Sequence, residues 1–233
     1  MRAGLVACLL ATGAAITAGA STGDDMPVPF EAAADGIDQA SLTATWWQWA
    51  LSLPLEPYMD RDGHLCALGQ EGPVWFLAGT DGTFNATRQC QVPPGTYLFL
   101  PVVNRYAATE LSAKKESTQP TCEELQKLIA MSADGLVRSR VTLDGKQIKN
   151  IAAYRVQSPG CFDPYPGLPR MEGKYPPLAA SDGYWLLIPP LPAGQHVLDV
   201  DAHYRAAGGK GFETVQRFGY TLQVGAAPQY VAR

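Results

Sequence analysis

Four cysteines, Cys66, Cys90, Cys122 and Cys161, are strung through the middle of the 233-residue chain, and a fifth, Cys8, lies in its N-terminal apolar stretch. An even number of cysteines behind an export-type leader implies disulfides, and four thiols allow three connectivities. Proximity along the chain predicts Cys66–Cys90 and Cys122–Cys161. These would close loops of ~25 and ~40 residues, each contributing roughly 3.5–4 kcal/mol in the chain-entropy account. A zinc ion held by all four thiolates is the competing arrangement, but no Cys-x-x-Cys pair supplies the usual ligand spacing. Two crosslinks therefore decide which distant segments lie side by side before any strand or helix is considered.

The leader itself reads as a signal peptide over residues 1–20. Arg2 gives a positive start, Leu5 to Ile16 are apolar, and Ala18-Gly19-Ala20 is a small-x-small cleavage site before Ser21. An apolar stretch of about 12 residues is too short for a bilayer that needs roughly 20. Leu5-Val6-Ala7-Cys8 has the lettering of a lipid-modified cysteine, yet few apolar residues precede it. Residues 21–36 are small, acidic and proline-containing, and are expected to form a flexible lead-in. The remaining 37–226 suffice for a single domain with a sizeable core. Hydrophobic residues make up 46% and charged residues 17%, which favours a packed core over disorder. The net charge of −4 is scattered, so no basic stripe invites nucleic acid. The expected protein is secreted or periplasmic, with no transmembrane segment in the mature chain.

Leu42, Trp46, Trp49, Ala50 and Leu53 recur at helical spacing, with Asp38 or Ser41 to cap the start and Pro54 to stop it. Short apolar or alternating runs then follow, punctuated by turns: Val74–Ala78, Thr87–Val92 and Tyr97–Val103. A second helix is signposted by Thr121 and Glu124 at capping-box spacing, with Leu125, Leu128 and Ile129 on one face. Val137–Leu143, the turn Asp144-Gly145 and a return over Gln147–Val156 predict a hairpin. Residues 158–182 hold six of the 19 prolines together with Tyr165 and Tyr175, which suggests an ordered cover. Tyr184–Ile188, His196–Tyr204 and Glu213–Val224 complete about eight strands. The expected fold is mostly β, a single β-sandwich of jelly-roll type with two short helices and two disulfides.

Several elements together resemble a family of uncharacterised bacterial secreted proteins. They are Trp46-x-x-Trp49, Gly72-x-Val74-Trp75-Phe76-Leu77-Ala78-Gly79, Arg88-x-Cys90-x-Val92-Pro93-x-Gly95 and Asp182-Gly183-Tyr184-Trp185. The resemblance spans residues 46 to 224. It implies export and one domain, and it carries over no activity and no catalytic residue.

Chemistry-bearing residues are few. Trp46, Trp49, Trp75 and Trp185 read as core, whereas Trp47 sits about 100° off the helix stripe and is the candidate for stacking on a ligand, with Tyr165 and Tyr175. On the strand His196–Tyr204, alternation places Asp201 and His203 on one face, where they could act as an acid–base pair or share a metal with His64. The competing reading is a solvated strand face. Asp60, Asp62 and His64 imitate the start of a calcium loop, but Leu65 stands where that loop requires glycine. Arg88 and Arg155 sit in strand segments, where each could bind an anion, and pairing with Asp or Glu is the favoured expectation. No Gly-x-Ser-x-Gly elbow is present. The leading expectation is a non-catalytic β-sandwich binding an unknown small molecule, a glycan or a cell-envelope component, with no metal and no cofactor. The alternatives are a secreted hydrolase or metal-dependent enzyme using Asp201 and His203, and a structural or partner-binding envelope protein.

Overall fold

In the computed structural model, which describes residues 36, 38–110, 119–169, 177–206 and 211–225, nine strands form two sheets packed face to face. Signal peptide and lead-in, apart from Gly36, lie outside the described residues. The four-stranded sheet has the order β1 (Val74–Phe76), β3 (Tyr97–Ala108), β7 (Ala179–Ile188), β6 (Arg155–Gln157). The five-stranded sheet runs β2 (Ala86–Val92), β9 (Glu213–Val224), β8 (Gly194–Arg205), β4 (Leu136–Leu143), β5 (Lys146–Ile148). Between them lies the main core, where Leu100, Tyr184, Leu186 and Ile188 meet Val141, Leu198, Val200 and Leu222. This is a mostly-β sandwich. Its order does not confirm jelly-roll connectivity, because β1 and β2 join their neighbours β3 and β9 in parallel.

Helix α1 (Gln39–Ser52) makes a third layer on the outer face of the four-stranded sheet. Its first turn is closed by Asp38, whose carboxylate accepts from the N–H groups of Ala40 and Ser41 at 3.0 and 3.2 Å. Trp46, Trp47 and Trp49 pack on Phe76, Phe99, Trp185 and Leu187. Strand β7 is therefore covered on both sides: Tyr184, Leu186 and Ile188 enter the sandwich core, and Trp185 and Leu187 the helix-side core. That double cover explains an apolar run with no polar alternation. Helix α2 (Cys122–Ile129) has the expected reciprocal cap between Thr121 and Glu124, and it buries Leu125 and Ile129 against Ala180. Both expected disulfides are formed, Cys66–Cys90 and Cys122–Cys161.

Three expectations need correction. The return strand after Asp144-Gly145 is not continuous to Val156. It ends at Ile148, Asn150 takes a left-handed conformation (φ 55°), and the chain crosses as β6 into the other sheet. Asparagine tolerates that geometry, and the break lets Ile148, Ile151 and Val156 all be buried. Strand β7 starts at Ala179, inside the proline-rich stretch, because Phe162 bridges to Ala179 and extends the pairing. Arg88 pairs with no carboxylate; its guanidinium donates to backbone carbonyls and to Tyr220, as described below.

Candidate functional site

The three ionisable candidates do not converge. Asp201 and His203 do share the outer face of β8, but each is engaged separately. Asp201 accepts from Arg138 Nη2 at 2.7 Å and Arg217 Nε at 3.3 Å. Partial burial works to raise its pKa, and the two arginines outweigh that, so the carboxyl is held below its usual range. A carboxylate held ionised by two guanidiniums is a weak base. His203 Nε2 lies 2.7 Å from Glu213 Oε1. His64 pairs with Asp62 on a loop hydrogen-bonded along β2, and β9 stands between that strand and β8. Among the described residues, no three His, Cys, Asp or Glu side chains are grouped to hold a metal ion. Asp60 organises its own turn, accepting from the N–H groups of Gly63 and Leu65.

The aromatic candidates fare differently. Trp47 is not an open platform: it is 9% exposed and donates its indole N–H to Ser181 Oγ at 3.0 Å. Its ring is stacked on Tyr106 (centroids 4.4 Å, 29°) and meets Tyr58 edge-on at 6.1 Å. Tyr165 is half-buried and within electrostatic reach of Tyr58 and Tyr106. Tyr175 lies outside the described residues. What Trp47 lines is a cavity of about 350 Å³, shared with Tyr58, Tyr106, Asp81, Asn104 and Arg105. That volume lies at the lower end of ligand pockets, which span roughly 300–1,000 Å³.

The cavity exists because two neighbouring strands have unequal lengths. β1 stops at Phe76, opposite Phe99, whereas β3 continues to Ala108. A register shift between Pro101 and Val103 resets the alternation. Tyr106 then faces the helix layer, while Arg105 faces the other way and lies over the Phe212 ring at 4.8 Å. The far wall is the segment Gly79–Asp81, held from behind at several points. Arg88, 1% exposed, donates from Nη1 to Ala78 O at 2.6 Å and from Nη2 to Gly79 O at 2.9 Å. Its Nε reaches Asp60 O at 2.7 Å, beside the Tyr58 turn (Pro57–Met59). The Gln216 amide clasps Thr80, accepting from its N–H and donating to its carbonyl, both at 2.8 Å. A Cβ on Gly79 would come within 2.9 Å of Gln216 Oε1, so glycine is what permits that clasp.

The cavity is electrically uneven. Burial, then Glu56, Tyr165 and Asp81, push the Tyr58 hydroxyl up to about 12, and burial raises Tyr106 as well. Both phenols stay neutral donors at physiological pH. Asn104 Nδ2 and Tyr106 Oη are buried without a hydrogen-bond partner among the described residues. Trp75 Nε1, Tyr184 Oη and Trp185 Nε1 in the packed cores share that state, and what sets Asn104 and Tyr106 apart is that both residues line a cavity.

A larger hollow of about 540 Å³ lies over the outer face of the five-stranded sheet, where Thr87, Asp199, Asp201 and Arg217 line it. It is a dip in a solvated sheet, and the aromatic residues at its base, Phe218 and Tyr220, belong to the sandwich core. The smaller cavity combines rings, opposite charges and unpartnered donors, and is the better candidate. Of the ligand-binding candidates read from the sequence, Trp47 lines it, while Tyr165 does not. Asp81 reads there as a turn residue, and Asn104, Arg105 and Tyr106 fall beyond the predicted end of their strand. Compared with protein-family models, with curated proteins and with solved structures, the chain matches none.

Proposed function

We propose that the chain is an exported binding protein that holds a sugar ring, from a glycan or a cell-envelope component, in the cavity formed by Trp47, Tyr58 and Tyr106. The observation carrying this reading is that an aromatic-lined cavity is walled by two residues, Asn104 and Tyr106, whose buried Nδ2 and Oη atoms lack a hydrogen-bond partner among the described residues. A pyranose has an apolar face for the rings and hydroxyls for such atoms. Export is supported by two disulfides, which persist in oxidising compartments, and by the signal-like residues 1–20. No helix among the described residues is long and apolar enough to cross a membrane.

The test is a glycan panel titrated against the purified protein with tryptophan fluorescence as readout. Tyr58→Ala is expected to weaken binding roughly 2- to 10-fold while near-ultraviolet circular dichroism stays unchanged. Trp47→Ala should weaken it further. Glycan binding untouched by both changes would exclude this cavity, and no saturable binding by any sugar would remove the reading.

A further inference from the structure

We infer that the sugar bound in this cavity is acidic, a hexuronic-acid-type ring whose carboxylate pairs with Arg105 and whose hydroxyls donate to Asp81. This deepens the ligand-binding reading above and rests on it. Both charged side chains line one cavity together with the aromatic residues.

Arg105 is the decisive residue. Among the described residues its guanidinium makes no hydrogen bond and no ion pair; its one close contact is the Phe212 ring at 4.8 Å. Asp182, its register partner on β7, favours the cation by its charge but accepts no hydrogen bond from it. That carboxylate is fully buried and already holds Arg155, through Nε and Nη2, and the backbone N–H of Met131. Arg105 is nonetheless half-buried, and burial lowers its pKa. A partly desolvated guanidinium with unfilled N–H donors is unfavourable, and a planar fork of such donors is shaped for a carboxylate. A ligand carboxylate placed over Phe212 would satisfy it. Asn104 Nδ2, the orphan donor on the adjoining residue, belongs to the same cavity wall.

Asp81, on the same cavity, has the complementary charge. Asp81 accepts from Thr83 N–H at 2.9 Å and Thr83 Oγ1 at 2.7 Å, both through Oδ1. Its Oδ2 remains an acceptor for hydroxyl donors. It is near enough to Tyr58 for its charge to raise that phenol, so hydroxyls meeting Asp81 would belong to a ring lying beside Tyr58. A ligand with a carboxylate, hydroxyl donors and an apolar ring face matches all three features.

The experiment compares glucuronic, galacturonic and mannuronic acids with glucose, galactose and mannose, titrated against wild type, Arg105→Gln and Arg105→Lys. A charged hydrogen-bond partner contributes enough that removing it should weaken the acid roughly 10- to 100-fold, with the neutral sugars little changed. Arg105→Lys should retain part of the preference and confirm that an intact fold is being read. Equal binding of acids and neutral sugars, unaffected by Arg105→Gln but weakened by Tyr58→Ala, would overturn the carboxylate inference and leave the cavity reading standing. No saturable binding of either series would overturn both.

Discussion

The outer faces of the two sheets are built in opposite ways. On the five-stranded sheet the outer face is wet. Asp201 pairs with Arg138 and Arg217, and Glu213 with Arg205 and His203, so its charges satisfy one another in solvent. On the four-stranded sheet the outer face is covered by α1, and what lies there is aromatic: Trp46, Trp49 and Trp185, with Phe99 stacked on Trp185 at 5.1 Å. The cavity opens at the edge of the covered face, where β3 outruns β1. The difference teaches where to look for function. Ionisable residues attract attention in a sequence, yet on a solvated strand they neutralise each other, while the aromatic face leaves a cavity where its cover ends.

Mutations should split along the same line. The largest loss is expected for Trp46→Ala, about 3–5 kcal/mol, because the ring is 1% exposed and its N–H donates to Leu77 O at 2.8 Å. Urea denaturation measures it, and a loss under 1 kcal/mol would mean the helix layer is dispensable. Next comes Arg155→Ala, which leaves the fully buried Asp182 with only the Met131 N–H. Such a broken pair costs about 2–3 kcal/mol, reduced from the fully buried case because Arg155 itself is partly exposed. A neutral result in the same denaturation assay would show water entering to solvate Asp182.

The smallest effect is expected on the wet face. Asp201→Asn should cost no more than about 1 kcal/mol at neutral pH, since the pair is solvent-screened. Because the folded pKa of Asp201 is lowered, its contribution is present above the ordinary carboxylate value near 3.9 and is lost as pH falls through the folded value. Stabilities of wild type and variant should therefore converge only in strong acid. A loss above 2 kcal/mol at pH 7 would erase the contrast between the two faces.

Local signals located most of the framework. Asp38 and the Thr121–Glu124 pair cap helices where their spacing predicted, and the alternation of Leu198, Val200, Ala202 and Tyr204 put Asp199, Asp201 and His203 on the outer face. These features depend on neighbours a few residues away, and so they are legible in a linear reading. The break at Asn150 was not, because a left-handed residue inside an alternating run has no signature until two sheets compete for the segments on either side. Arg88 likewise read as the partner of a carboxylate, whereas its four carbonyl acceptors come from residues 9 to 31 positions away.

The candidate site belongs to this second class. Trp47 is on α1, Tyr58 on a turn, Asp81 on a loop and Arg105 on β3, and no periodicity links them. Cysteine spacing, turn residues and alternation by themselves determined a disulfide-stapled, mostly-β chain with two capped helices, because each acts over one turn, one strand or one loop closure. Tertiary structure alone decided which aromatic rings were buried, which charges found partners and where one strand outran its neighbour. Those outcomes depend on surfaces that come together only when the two sheets and the helix pack.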